Sequence, residues 1–193
     1  MKILPTRWDL ISRLKGRRVL DIGGIGYNEY GVRKKLFEEA WSGISRTTMD
    51  ISPEADIMID LNEPPFAKVK WGKYDIALMF DVLEHLKYPA EVLEWIGAKE
   101  LWINLPCATS LYMQKMEHEL YALEVAKKIP NTPHIFGFNP LLTRPLMEQC
   151  GWRVIDWQYM FDYQSWRGKL FALLPAMFPY SFSQGFWMKC RRK

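Results

Sequence analysis

Cysteine is scarce in this chain of 193 residues: Cys107, Cys150 and Cys190 are the only three, too far apart to make a CxxC pair for zinc or redox chemistry. Their odd number argues against a disulfide framework, so a reducing, cytoplasmic setting is expected. An apolar leader is lacking too. Lys2, Arg7 and Asp9 interrupt the first stretch, and export is not expected. Neither sign of charge dominates, with 26 Lys and Arg against 22 Asp and Glu. Basic residues gather only at Arg33, Lys34 and Lys35 and at Arg191, Arg192 and Lys193, too few for a nucleic-acid footprint, so no such partner is expected. Repeats and low-complexity tracts are absent. One long uncharged run exists, residues 170–188, whose length alone would suit a membrane span. Pro175 and Pro179, with Ser181, Ser183, Gln184 and Gly185, break it into a short apolar helix and a separate strand. Contact with a membrane surface stays open as an alternative for this segment.

What is there suits one packed domain. Apolar residues make up 49% and charged residues 25%, near the globular average, and a chain this long buries roughly 70% of the surface it would expose unfolded. Nine Trp, nine Tyr and ten Phe exceed the usual share, and rings in such number usually include some that line a pocket.

Trp8, Leu10, Ile11 and Leu14 share one face of a helix expected over residues 6–15, with Gly16 just past its end. The β-branched run 18–22 predicts a strand, Gly23, Gly24 and Gly26 a tight loop, and the spacing over 29–41 a helix. Further strands are expected at 44–49, 56–59 and 74–80, each followed by an acid: Asp50, Asp60 and Asp81. A helix over 89–96 and a strand over 100–105 continue the alternation, the pattern of a mostly parallel sheet with helices on both faces. Beyond Pro106 come a helix near 110–128, a polar loop with His134, a helix over 140–150 stopped by Gly151, and two late strands. Those strands, 153–161 and 186–190, enclose an insertion at 166–180 and can pair as a hairpin at the sheet edge.

In an open parallel sheet, ligands bind beyond the carboxyl ends of the strands, beside the point where strand order reverses. Gly23, Gly24 and Gly26 let the backbone lie against a ligand with no side chain between. Asp50, 24 residues after Gly26, would close the second strand, where a carboxylate can accept both hydroxyls of a ribose. Each such charge-assisted bond contributes roughly 1.5–3 kcal/mol. The same residues also fit a reading without ligand: a tight strand-to-helix turn, and an acid that caps the turn before Ser52-Pro53.

Four segments in register, VLDIGGIG at 19–26, TMDIS at 48–52, DIMIDLN at 56–62 and YDIALMFDVLEHL at 74–86, resemble the class I S-adenosylmethionine-dependent methyltransferases, in particular the group labelled type 11. The resemblance covers residues 15–160, and PHIFGFNPLLTRPLMEQCGWRVID at 133–156 is similar to the stretch after the family's fifth strand. It implies a Rossmann-like α/β fold whose seven-stranded, mostly parallel sheet has helices on both faces and an antiparallel last strand. One domain would span 1–193, with a cofactor half at 15–105 and acceptor-side elements at 106–185. By the same resemblance S-adenosyl-L-methionine is the cofactor: Asp21, Gly23, Gly24 and Gly26 face its methionine end, Asp50 holds the ribose, and Asp60 and Leu61 meet the adenine. Phe80 and Asp81 line its other side. The chain departs from the family in one place. Three glycines usually alternate, whereas Ile25 and Tyr27 fill the second and third slots here and Gly24 and Gly26 sit one residue early.

The residues leave alternatives open. NAD uses the same loop and acid, but the Tyr-x-x-x-Lys pair of short-chain reductases occurs only at Tyr30 and Lys34, in the first crossover helix. A nucleoside-binding protein without catalysis is the other alternative. Asp81, Glu84 and His85 fall at i, i+3 and i+4, on one face if a helix begins there. They resemble a divalent-metal arrangement of some family members, while Asp81 and Glu84 alone have the form of a capping box. No metal is expected; His85 is the candidate base and His134 the candidate substrate contact. The family's Asn/Asp-Pro-Pro-Tyr motif for amide methylation does not occur, which favours an oxygen acceptor on a small molecule, sugar or lipid-linked intermediate.

Overall fold

The computed structural model describes residues 5–25, 34–66, 68–111, 113–114, 136–161, 175 and 177–193. The strands are β1 (Arg18–Ile22), β2 (Ser45–Asp50), β3 (Ile57–Met58), β4 (Ile76–Phe80), β5 (Glu100–Pro106), β6 (Trp152–Met160) and β7 (Gly185–Arg192). They form one sheet in the order β3-β2-β1-β4-β5-β7-β6. β1 to β5 run parallel, and β7 lies antiparallel between β5 and β6. The expected seven-stranded α/β architecture with an antiparallel last strand is present. Strand order reverses at β1, which is flanked by β2 and β4.

The sequence accounts for this layering. β4 and β5 are buried at every position, as near-continuous apolar runs are when helices cover both faces of a parallel sheet. Their side chains alternate between two cores. On one face Val19, Ile76, Leu78, Phe80, Trp102 and Trp187 pack against Leu10, Ile11 and Trp41, supplied by α1 (Arg7–Ser12) and α2 (Lys34–Trp41). On the other face Leu20, Met79, Leu101 and Ile103 pack against Val92, Leu93 and Met147, from α3 (Pro89–Trp95) and α4 (Pro140–Gln149).

Helix starts follow their local chemistry. Thr6 and Asp9 make a reciprocal capping box at α1, Thr6 N donating to Asp9 Oδ2 at 2.8 Å and Asp9 N to Thr6 Oγ1 at 3.2 Å. At α4, Asn139 Oδ1 accepts from the amides of Leu141 and Leu142, both at 3.0 Å, and Pro140 takes the first position. α1 is shorter than its apolar spacing predicts: it ends at Ser12, and the chain turns to Gly16 at φ 74°.

The third strand is also shorter than expected. Ile57 and Met58 pair with β2, and Ile59 N adds a bond to Asp50 O at 2.9 Å; at the strand's start Asp56 instead turns its carboxylate onto the amide and hydroxyl of Thr48 at 2.7 and 2.8 Å. Those bonds hold the Asp56 carboxyl below the usual range. The late strands pair as expected, each shifted by a residue or two, with a bulge between Val154 and Asp156. Of the insertion, Pro179–Phe182 forms a short helix, α5. Residues 111, 113 and 114 are helical, while the rest of the helix near 110–128, the loop with His134 and most of the insertion lie outside the described residues. No helix among the described residues is long and apolar enough to cross a membrane.

Candidate functional site

The glycine loop leaves β1 at the reversal point. Gly23 N donates to Met49 O at 2.7 Å, which ties the start of the loop to β2. Gly23 has φ 75°, a left-handed angle that favours glycine. A Cβ there would run into the Val82 side chain, so the loop also packs on the turn after β4. Gly24 is buried over charge: a Cβ would overlap the Asp21 carboxylate and lie 2.7 Å from Arg46 Nη2.

Asp21, the next-to-last residue of β1, has no exposure at all. Arg46 on β2 donates Nε to Asp21 Oδ2 at 2.8 Å, and its Nη2 stands 2.6 Å from the same oxygen. The same Nη2 donates to Gly24 O at 2.5 Å. The guanidinium lies 5.0 and 4.5 Å from the ring centroids of Phe37 and Trp41. Burial pushes the Asp21 carboxyl up to about 6, against the pull of Arg46 and with a smaller push from the charge on Asp50. Among the described residues Asp21 Oδ1 has no hydrogen-bond partner.

Asp50 ends β2 half-buried and faces the loop. Its Oδ2 accepts from Ile25 N at 3.2 Å, and its Oδ1 accepts from Ser52 N at 3.1 Å. The turn-capping reading and the loop-facing reading therefore describe two oxygens of one carboxylate. After β3, Asp60 Oδ1 accepts from Asn62 N at 2.8 Å, and Leu61 joins the core at 8% exposure. Asn62 Oδ1 in turn accepts from Lys87 N at 2.7 Å, joining this loop to the segment after β4.

At the end of β4, Phe80 turns its side chain into the core at 2% exposure, so its backbone is what it can offer a ligand. Asp81 adopts φ 53°, a left-handed angle tolerated best by Asp and Asn among side-chain-bearing residues. Its Oδ2 pairs with Arg7 of α1 at 2.7 Å and its Oδ1 accepts from Asn104 Nδ2 of β5 at 2.9 Å. This corrects the capping-box expectation. The turn over Leu83–His85 starts at Val82 with no side-chain cap, because Asp81 is drawn back to Arg7 and Asn104. Nor do Asp81, Glu84 and His85 share a helical face. Glu84 is fully buried, His85 is half-buried, and among the described residues no three His, Cys, Asp or Glu side chains group to hold a metal ion.

The structure thus gathers Asp21, Gly23, Gly24 and Asp50 into one cluster and sets Asp81 at the neighbouring strand end. Gly26 and His134 lie outside the described residues. Arg46, Arg7 and Asn104 escaped the sequence reading. For Arg46 a signal existed: a long cation in a short strand, at the same parity as Asp50, must find a partner under the loop.

Residues 5–155 match a family model described as a methyltransferase domain. No curated protein matches the chain. Among solved structures, an S-adenosylmethionine-dependent methyltransferase from Archaeoglobus fulgidus is 18% identical with a TM-score of 0.56, over 95% of this chain and 90% of that one. One from Mesorhizobium loti is 12% identical with a TM-score of 0.59, over 93% and 92%. Magnesium protoporphyrin IX methyltransferase from Synechocystis PCC 6803, with bound SAH, is 15% identical with a TM-score of 0.51, over 93% and 76%. At such identities the likeness is one of fold, and the family match supplies the rest. The family model, matched over most of the chain, shows that the protein belongs to the methyltransferase-domain family.

Proposed function

We propose that the protein transfers the methyl group of S-adenosyl-L-methionine to an oxygen of a small-molecule, glycan-like or lipid-linked acceptor. The observation that carries the site is the bond from Ile25 N to Asp50 Oδ2, which sets the carboxylate ending β2 against the glycine loop at the strand reversal. A carboxylate offers about four acceptor directions; the chain uses two, which leaves room for ribose hydroxyls. The Asp21 carboxylate, buried beneath the loop, sets negative charge under the place where the cofactor's cationic end would lie. In this reading Asp21 and the loop through Gly26 face the methionine end, Asp60 and Leu61 the adenine, and Asp81 with the Phe80 backbone the opposite wall.

When bound, the cofactor supplies a methyl group already activated on a sulfonium. The chain's work is then mainly placement, for which near-attack alignment contributes roughly 7–11 kcal/mol. A hydroxyl acceptor must also shed a proton. His85, on the turn after Asp81, is the base in this reading, and His134 the acceptor contact.

Titration calorimetry with S-adenosylhomocysteine tests the site. Asp50→Ala is expected to bind at least about tenfold more weakly, the loss of one charge-assisted bond, while circular dichroism keeps its native form. Unchanged affinity rejects the ribose role of Asp50.

A further inference from the structure

The register Asp21↔Thr48 puts Arg46, Thr48 and Asp50 at alternating positions of β2, on the sheet face that carries Asp21. Arg46 is 17% exposed and carries a charge that needs partners there. It finds them in the Asp21 carboxylate, the Gly24 carbonyl and the faces of Phe37 and Trp41. The planar guanidinium fixes the angle between its two hydrogen bonds, so one rigid group spans β1, β2 and the loop.

We propose that Arg46 is a positioning residue for cofactor binding: its guanidinium ties the Gly24 carbonyl to the Asp21 carboxylate and holds the loop in the path on which Ile25 N meets Asp50. The proposal rests on reading this loop as the cofactor site. It also accounts for the displaced glycine. Any Cβ at residue 24 would overlap the Asp21 carboxylate and crowd Arg46 Nη2, so glycine is required over the brace whatever the ligand asks, and Ile25 beside it keeps a side chain.

Arg46→Lys keeps the positive charge beside Asp21 and loses the fork. It is expected to melt within about 5 °C of the parent protein, to bind S-adenosylhomocysteine at least about tenfold more weakly, the loss of one charge-assisted bond, and to exchange the Ile25 amide faster in the free protein. Gly24→Ala and Arg46→Gln form a double-mutant cycle. Each is expected to weaken binding, and the pair to be no worse than the stronger single change, because both break one brace. Should Arg46→Gln fail to fold, Arg46→Lys decides alone. An Arg46→Lys protein that binds as tightly as the parent, or losses that simply add in the cycle, overturns the proposal and leaves the cofactor reading standing. A parent protein that does not bind S-adenosylhomocysteine overturns the cofactor reading and the proposal with it.

Discussion

Two Arg–Asp pairs bracket β1, and the same chemistry has opposite outcomes at its two ends. At the amino end, Arg18 Nη2 and Nε reach Asp75 Oδ1 and Oδ2 at 2.8 and 3.3 Å, and Arg18 N adds a bond at 2.9 Å. These side chains are 56% and 31% exposed. Hydrogen bonds from Arg18 pull the Asp75 carboxyl down to about 2. At the carboxyl end the Arg46–Asp21 contact is as short, yet Asp21 is pushed up to about 6 because burial outweighs its partner. Water makes the difference: a solvated pair gains a little from its Coulomb term, while a dry one must first repay desolvation. The solvated pair sits where only the fold can use it, and the dry one sits under the loop where the ligand is expected.

The largest effect that would sharpen this contrast comes from Arg46→Ala. Removing one partner strands a buried carboxylate and is expected to cost roughly 3–5 kcal/mol in urea unfolding at pH 7, whereas Arg18→Ala is expected to leave the unfolding curve close to that of the parent. Equal losses would break the comparison. Next comes the pH dependence of Asp21. Its folded pKa of about 6 lies above the ordinary 3.8, so its contribution to stability is whole below that value and is lost as pH rises through about 6. Asp21→Asn is expected to remove a loss on the order of 2–3 kcal/mol between pH 4 and pH 7, read from paired unfolding curves. A variant whose curve follows that of the parent would show that Asp21 is not the group responsible. The smallest effect belongs to Asp75, whose sign is reversed. Its stabilising contribution is present above the ordinary 3.8 and is lost as pH falls through about 2. Asp75→Asn is expected to cost less than about 1 kcal/mol at pH 7, and that difference is expected to shrink in ~0.5 M salt.

The legible part of this molecule was whatever the chain writes locally. β1 was bounded to the residue, since a β-branched apolar run ends on a glycine; α4 showed in its proline start and glycine stop; and the acids closing β2 and following β4 marked the edge where the site lies. Spatial partners were harder. Arg46 and Gly24 meet across the β1–β2 register and Arg7 reaches Asp81 from a helix formed far earlier in the chain; strand parity puts Arg46 on the face of Asp50, but nothing local names the partner of either arginine. The turn after β4 shows the same limit. Asp81 and Glu84 carry the spacing of a capping box, but an arginine and an asparagine from other elements outbid the local amides for the aspartate. Local pattern predicts an end to a strand; tertiary charge decides where its last side chain points.

The antiparallel strand wedged between β5 and β6 comes later in the chain than both. On the ribosome, β5 ends at Pro106, and its neighbour starts only at Gly185. At 5–20 residues per second, the open edge of β5 waits on the order of ten seconds. Throughout that interval a strand that the finished fold buries at every position has one edge of amides and carbonyls still without its final partner, the kind of edge that invites pairing with another chain.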